Sequence, residues 1–523
     1  MLILLSFLAF TGFVITYTWY QLRQQPLSSR DGYFLGGRSL SGVVIGGSLL
    51  LTNISTEHLI GMNGSAYKDG FIVIAWEVTS AIALVIGALY FVPRYLKMGL
   101  TTIPEYLELR YSSLTRTIVA LFLIISFVVT LLPIVLYTGA INFESLFDVS
   151  TQLGISQGQA IWLMVILIGL IGSVYAVFGG LKAVAVSDTI NGYGLLIGGL
   201  LVPIFALWEI GAGNMWEGLQ NVFERAPEKF SVIGAPDSSL PFEVLFTGMI
   251  LNQLYFWCMN QSIIQRALGA KNLAEAQKGL LLAGLYKILI PLVIILPGVI
   301  AFYYFGTDYY EDQDSVYPLL VKRILPDWLI GLFAAVVMGA VLSTFNSVLN
   351  SAATLFSVGI FKRHIQKDAS EKRLVRIGKL TSATLAIAAI MVAPFVANAP
   401  EGLYNLMQQL NGIFFIPIIS ILLAGFFTRY VSATGAIAGL FFGLSFYVLT
   451  VFVYEWDLHF VHIWGVEFLL NVAVMFGVSA LFPNQNTFEE KDRGVVSIEP
   501  WRYVKPVGLA LCVITILIYI LMA

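Results

Sequence analysis

Apolar runs of about twenty residues recur along the chain, and a run of that length spans the hydrocarbon core of a bilayer. Fourteen such runs begin near Leu2, Leu40, Phe71, Thr117, Ala160, Val184, Phe242, Gly279, Trp328, Leu380, Gly402, Ser432, Ile463 and Pro506. Each is predicted to be a membrane helix, which makes the chain an all-α membrane protein. The third run stops before Pro93-Arg94, and Gly-Ala-Gly at 211–213 and Asn-Ala-Pro-Glu-Gly at 398–402 mark turns between others. The first run, Leu2 to Tyr20, lacks a basic leader and a small-residue cleavage site and is followed by Arg23, so it reads as a retained span.

Five of the runs carry groups that hydrocarbon tolerates poorly. The run from Leu40 holds Asn53, Ser55, Thr56, Glu57 and His58, followed by Gly61 and Gly64, which are expected to loosen the helix. Such a polar, interruptible helix exposes backbone carbonyls and side chains at mid-membrane; the plainer reading is a hydrogen-bonded patch between helices. The next run holds Trp76, Glu77, Thr79 and Ser80. The segment 249–266 mixes Asn252, Gln253, Asn260 and Gln261 with Tyr255, Phe256 and Trp257, a combination that suits the polar edges and flat faces of a sugar ring and equally an interfacial aromatic belt. Lys287 lies between apolar residues, and pairing with Glu77 would account for both charges, whereas a snorkelling lysine is the alternative. Ser343 and Thr344 are adjacent hydroxyls in an otherwise apolar helix, either hard ligands for Na⁺ or back-bonded packing residues. Gln408, Gln409 and Asn411 form the last group, in a segment opened by Gly402.

Composition agrees with the pattern. Of 523 residues, 58% are hydrophobic and 11% charged, against about 25% charged in a soluble domain. A net charge of −2 gives no basis for nucleic-acid binding, and Cys258 and Cys512, both in apolar segments, imply neither disulfide nor metal motif. With an outward N-terminus, the inner connections hold 23 Lys or Arg, seven of them in the 361–379 loop, and the outer connections 5. That asymmetry places both termini outside. The outer loops are acidic around Asp308, Glu311, Asp312 and Asp314. No paired base and nucleophile stands out, so an enzyme is not expected.

Taken together, Asn53-Ile-Ser-Thr-Glu-His58, Glu77, Gly179-Gly-Leu-Lys-Ala-Val…Asp188, Trp257…Asn260-Gln…Gln265-Arg266, Lys287 and Ser343-Thr344 resemble the sodium/solute symporter family. The likeness is narrower to its sodium/glucose and sodium/galactose cotransporters, and it runs most closely over about 35–430. It implies a LeuT-like core of two five-helix inverted repeats, 39–210 and 242–430. Around these lie an extra helix and inner loop at 1–38, an outer loop at 211–241 and three peripheral helices at 431–523.

The resemblance further implies a sugar pocket at Asn53, His58, Glu77, Ser80, Gln253, Phe256, Trp257, Lys287 and Gln408. It implies a gate at Met62, Trp76 and Tyr404, and a sodium site at the backbone oxygens of Leu51, Ile54 and Ala340 with the hydroxyls of Ser343 and Thr344. A possible second sodium site gathers Asp188, Ser343, Asn346 and Ser347; the alternative pairs Asp188 with a basic residue such as Lys182 or makes it a helix cap. His58 matches the animal glucose carriers, whereas Phe256 and Gln253 depart from the residues usual at those positions.

The expected protein is thus a sodium-coupled importer of a hexose such as glucose, galactose or mannose, in a bacterial inner membrane. Sugar, Na⁺ and the lipid bilayer are its partners, without an organic cofactor, and it acts as a monomer or weak homodimer. A myo-inositol symporter is the sibling reading, and a membrane sensor or channel on the same scaffold the more distant one.

Overall fold

The computed structural model describes residues 2–22, 29–397, 403–483 and 488–523. The turn expected at 398–402, its Gly402 and the basic Arg23 lie outside these residues. Among the described residues the chain is helical throughout, apart from an isolated backbone bridge between Leu40 and Ala270. Eleven helices are long and apolar enough to cross a membrane, or twelve if the bent pair Leu273–Leu289 and Pro291–Phe305 counts as one.

Two expected spans are not continuous helices. The first, Gly42–Asn53, ends where Ile54 takes an extended conformation (φ −91°, ψ 99°), and helical geometry resumes as a wide turn at Glu57–Met62, continued by Asn63–Asp69. The second is broken between Gly248–Cys258 and Gln261–Leu268. There Asn260 turns its side chain onto the Ser262 N–H at 2.9 Å and so caps the second half. The outer ends of the two broken spans, away from the breaks, are tied together: the Leu40 N–H donates to Gly269 O (3.1 Å) and the Lys271 N–H to Leu40 O (3.0 Å).

Gly61 lies within the wide turn, so the helix is loosened there as the sequence suggests, but neither Gly61 nor Gly64 is where the chain breaks. The break lies at 54–56, and the glycines are places of close approach. A Cβ on Gly61 would stand 3.0 Å from the Tyr404 backbone N, and one on Gly64 would stand 2.6 Å from Gln313 O. Their need for glycine comes from distant segments. Gly180, by contrast, is conformational. It divides the Gln157–Ile210 helix with φ 64° and ψ −179°, a geometry that side chains disfavour.

The Gly42–Asn53 helix packs among Leu273–Leu289, Gln157–Ile210 and Asp327–Thr354, so its broken end sits at the centre of the bundle. Leu2–Leu22 lies outside, against Asp327–Thr354, with Trp19 and most of its leucines exposed toward the lipid region. Ala433–Tyr447 and Phe460–Leu481 form a peripheral pair. Gly435, Gly439 and Gly443 bring them together by lying against Ser479, Met475 and Asn471, the small-residue contact by which membrane helices associate.

Candidate functional site

The broken ends enclose a cavity of about 70 Å³, room for about five waters at roughly 10–15 Å³ each. It is lined by Asn53, His58, Glu77, Ser80, Gln253, Phe256, Trp257 and Gln408 from the expected pocket, and also by Thr52, Glu57, Asn252, Tyr255, Asn260 and Asn411. Gln409 does not join Gln408 and Asn411; the helical twist turns it to a separate vestibule.

Lys287 is not part of the cavity wall. It stands behind it, its Nζ donating to Asn53 Oδ1 at 2.7 Å and to Glu77 Oε2, with the Trp257 ring 5.5 Å away. Glu77 and Lys287 are each 1% exposed and reach one another from Ala75–Ile86 and Leu273–Leu289, so the pairing expected of these two lone charges is present. The other Glu77 oxygen lies 3.7 Å from His58 Nε2, and His58 Nδ1 lies 3.5 Å from Glu57 Oε1. Ser80 Oγ donates to Gln253 Oε1 at 2.7 Å, and Gln253 Nε2 donates to Trp76 O at 2.9 Å, which fixes the amide across the cavity. Phe256 and Trp257 meet edge to face at 5.1 Å.

Toward the end of the bundle bearing the acidic loop, the cavity leads into a neck of about 10 Å³ and then a vestibule of about 770 Å³. Met62, Trp76 and Tyr404 line the neck. Tyr404 packs edge-on against Trp76 (5.8 Å between centroids) and against His58 (5.5 Å), and Trp464 backs Trp76 at 6.3 Å. The neck thus has room for about one water.

On the other side of the broken helix, Thr344 Oγ1 donates to Thr52 O at 3.1 Å and reaches Leu51 O at 3.5 Å. Ser343 Oγ is buried close to the Asp188 carboxylate, without a hydrogen bond of good geometry. A helix C-terminus carries carbonyls with no intrahelical donor and the negative end of the helix dipole. Carbonyl oxygens and a hydroxyl are a hard donor set that fits an alkali cation. Ile54 and Ala340 flank these groups in sequence.

A family model, "Sodium:solute symporter family", matches residues 33–443. The chain belongs to that family. An uncharacterized symporter, YidK, of Escherichia coli is 46% identical over 99% of this chain and 90% of its own length. A sodium/glucose cotransporter of Vibrio parahaemolyticus is 32% identical over 81% of this chain and 80% of its own. The human sodium/myo-inositol cotransporter is 29% identical over 81% of this chain and 62% of its own length. Among solved structures, a Na⁺-coupled sialic acid symporter in its substrate-bound outward-open state superposes with a TM-score of 0.76 at 21% identity, covering 92% of this chain and 98% of that one. The transporter Mhp1 in a closed conformation gives 0.52 at 14% identity. At those identities the likeness is one of fold, the LeuT-like helical arrangement. The symporter is a sodium-coupled transporter of the inner membrane and not an enzyme.

The symporter's second candidate ion set is arranged around a guanidinium. Asp188 Oδ2 accepts from Ser48 Oγ at 2.8 Å and lies 3.6 Å from Arg266, which also donates to Ser347 Oγ. Thr52 Oγ1 and Ser347 Oγ are 3.4 Å apart. The basic partner of Asp188 is therefore Arg266, 78 positions along the chain, and not its neighbour Lys182. Asp188 Oδ1 and Asn346 Oδ1 are buried without partners. Glu57, Asn252, Asn260 and Asn411, polar residues of the same runs that the family resemblance does not place in the pocket, line the cavity as well. Their only signal was polarity within an apolar run.

Proposed function

We propose that this symporter imports a sugar with Na⁺ by alternating access. The observation that carries the reading is the central cavity, where amides and charged groups (Asn53, Gln253, Gln408, Glu77, His58) face the rings of Phe256, Trp257 and Trp76. Sugar rings present hydroxyls at their edges and CH groups on their faces, and such a wall offers a partner to each. The sodium/glucose and sodium/myo-inositol cotransporters among the relatives support a polyol substrate.

In this reading, two five-helix repeats, 39–210 and 242–430, each begin with one of the two broken spans. Na⁺ binds the carbonyls of Leu51, Ile54 and Ala340 and the hydroxyls of Ser343 and Thr344. It thereby holds the Gly42–Asn53 helix against Asp327–Thr354 and favours the state open to the outside. Sugar then hydrogen-bonds to Asn53, His58, Glu77, Ser80, Gln253 and Gln408 and stacks on the aromatic faces. Lys287 acts from behind by orienting Glu77 and Asn53. Closure of Met62, Trp76 and Tyr404 over the sugar precedes rocking of the repeats, since binding energy is gained only in the closed state.

The test is uptake of labelled glucose, galactose, mannose and myo-inositol into proteoliposomes under an imposed Na⁺ gradient, with choline as control. Uptake of one of the hexoses that collapses in choline is expected. Uptake of myo-inositol alone would establish the cyclitol reading instead. Uptake indifferent to Na⁺ would refute the coupling.

A further inference from the structure

Glu57 has no assigned role, yet it lines the central cavity at 2% exposure. It lies on the wide turn that follows the first break. Its Oε1 is 3.5 Å from His58 Nδ1, and its Oε2 has no hydrogen-bond partner in the protein. A carboxylate oxygen buried in a cavity wall without a donor is costly unless a bound molecule brings one.

The carboxylates around it outnumber the ammonium groups. Glu57, Glu77 and His58 are the ionisable acids and imidazole of the cavity wall, and Lys287, behind it, is engaged by Glu77 and Asn53. The other polar groups of the wall, among them Asn252, Asn260, Gln253, Gln408 and Asn411, are neutral amides. Lys287 is taken up by Glu77 and Asn53, and His58 Nδ1, 3.5 Å from Glu57, makes no hydrogen bond to it, so Glu57 has no ammonium or guanidinium partner of its own among the described residues. An unmatched buried carboxylate is stabilised by a ligand cation that also donates hydrogen bonds.

Building on the sugar reading, we propose that Glu57 is a specificity-determining residue whose free oxygen accepts a charge-assisted hydrogen bond from an amino group, so that the preferred substrate is an amine-bearing sugar. Such a molecule brings one positive charge and several hydroxyls. The charge answers Glu57, and the hydroxyls answer the amides and Glu77. Acetylating the amine removes the charge and leaves a neutral amide in its place.

The experiment measures equilibrium binding of glucose, glucosamine and N-acetylglucosamine to the purified full chain in Na⁺ at neutral pH, for the wild type and for Glu57→Gln. The substitution keeps the side chain's shape and one acceptor while removing its charge. The wild type is expected to bind glucosamine about tenfold or more tightly than the other two sugars, as for loss of one charged hydrogen bond. Glu57→Gln is expected to bring the three together by weakening glucosamine alone. Equal binding of glucose and glucosamine to the wild type overturns the proposal while leaving the sugar reading intact. A glucosamine preference that survives Glu57→Gln overturns the role of Glu57. Failure of all three sugars to bind in Na⁺ overturns the sugar reading and the proposal with it. The wild-type comparison decides on its own if Glu57→Gln does not fold.

Discussion

Breaking the Glu77–Lys287 pair should weaken the symporter far more than removing it whole. Both side chains are buried, and Nζ of Lys287 is divided between Glu77 and Asn53 Oδ1 at 2.7 Å. Lys287→Met leaves Glu77 without a cation in a nearly dry setting; the one other basic group in reach, His58 Nε2, is 3.7 Å away and outside hydrogen-bonding distance. Removing one partner of a buried pair costs about 3–5 kcal/mol, whereas replacing both by groups of similar volume is often neutral. Glu77→Gln leaves the ammonium with Asn53 as its acceptor and should cost somewhat less, about 2–4 kcal/mol. The double variant Glu77→Gln/Lys287→Met should cost no more than about 1–2 kcal/mol, which makes the coupling roughly 3–8 kcal/mol. Unfolding in detergent at fixed Na⁺, followed by tryptophan fluorescence and size-exclusion recovery, reads all four corners of the cycle. Sugar affinity, measured in parallel, should fall about tenfold or more in every variant lacking the Glu77 carboxylate. Single variants that each cost under 1 kcal/mol, or a double variant no better than the worse single, would refute the reasoning.

Ser343→Ala should abolish most Na⁺-driven uptake while leaving the fold intact, because Asp188, the carboxylate beside the lost hydroxyl, keeps Ser48 and Arg266 as partners; unchanged Na⁺ dependence in proteoliposomes would contradict the sodium site. Tyr404→Leu removes two edge-on aromatic contacts, about 0.5–1.5 kcal/mol each. The open gate should become roughly 5- to 100-fold more populated, seen as faster labelling of a Gln408→Cys probe by an impermeant thiol reagent in Na⁺. In the outer loop, burial lifts Asp314 from its ordinary 3.8 to about 6. The folded chain then keeps a proton that the unfolded chain releases, so this group's contribution to stability falls as pH rises from about 4 to about 6 and is level above. Asp314→Asn keeps an acceptor for the Leu403 N–H, now 3.1 Å from the carboxylate, and should lose that slope and gain up to about 3 kcal/mol at pH 7, less where solvent screens it; identical thermal-unfolding profiles of the two proteins from pH 4 to 7 would exclude it.

Most of the spans were legible because a bilayer demands some twenty apolar residues in a row, although eleven or twelve qualifying helices stand among the described residues where fourteen runs were expected, and polar groups within such runs marked the helices that meet at the centre. The site of the break was not legible. Gly61 and Gly64 looked like weak points, yet each is small because another segment, at Tyr404 or Gln313, presses against it, and such a partner leaves no trace nearby in the sequence. Glu77 and Lys287 could be matched because each was a lone charge in its run. Asp188 could not, since the nearest base along the chain was Lys182 whereas the fold supplies Arg266. Glu57 went unread as a site residue because its significance rests on one oxygen left without a donor, a property of the folded cavity alone.

The two buried ion pairs also bear on how the membrane potential acts on transport. Moving one elementary charge through the full field is worth about 2.3 kcal/mol per 100 mV. Glu77 with Lys287, and Asp188 with Arg266, carry opposite charges on neighbouring helices, so each pair that travels as a unit carries no net charge through the field. The electrical work then falls on the charges left outside these pairs: the Glu57 carboxylate and, in the reading proposed above, the sodium ion that would enter among carbonyls and hydroxyls. On that reading the membrane potential acts on loading the ion and on the turn that carries Glu57, and scarcely on the two pairs.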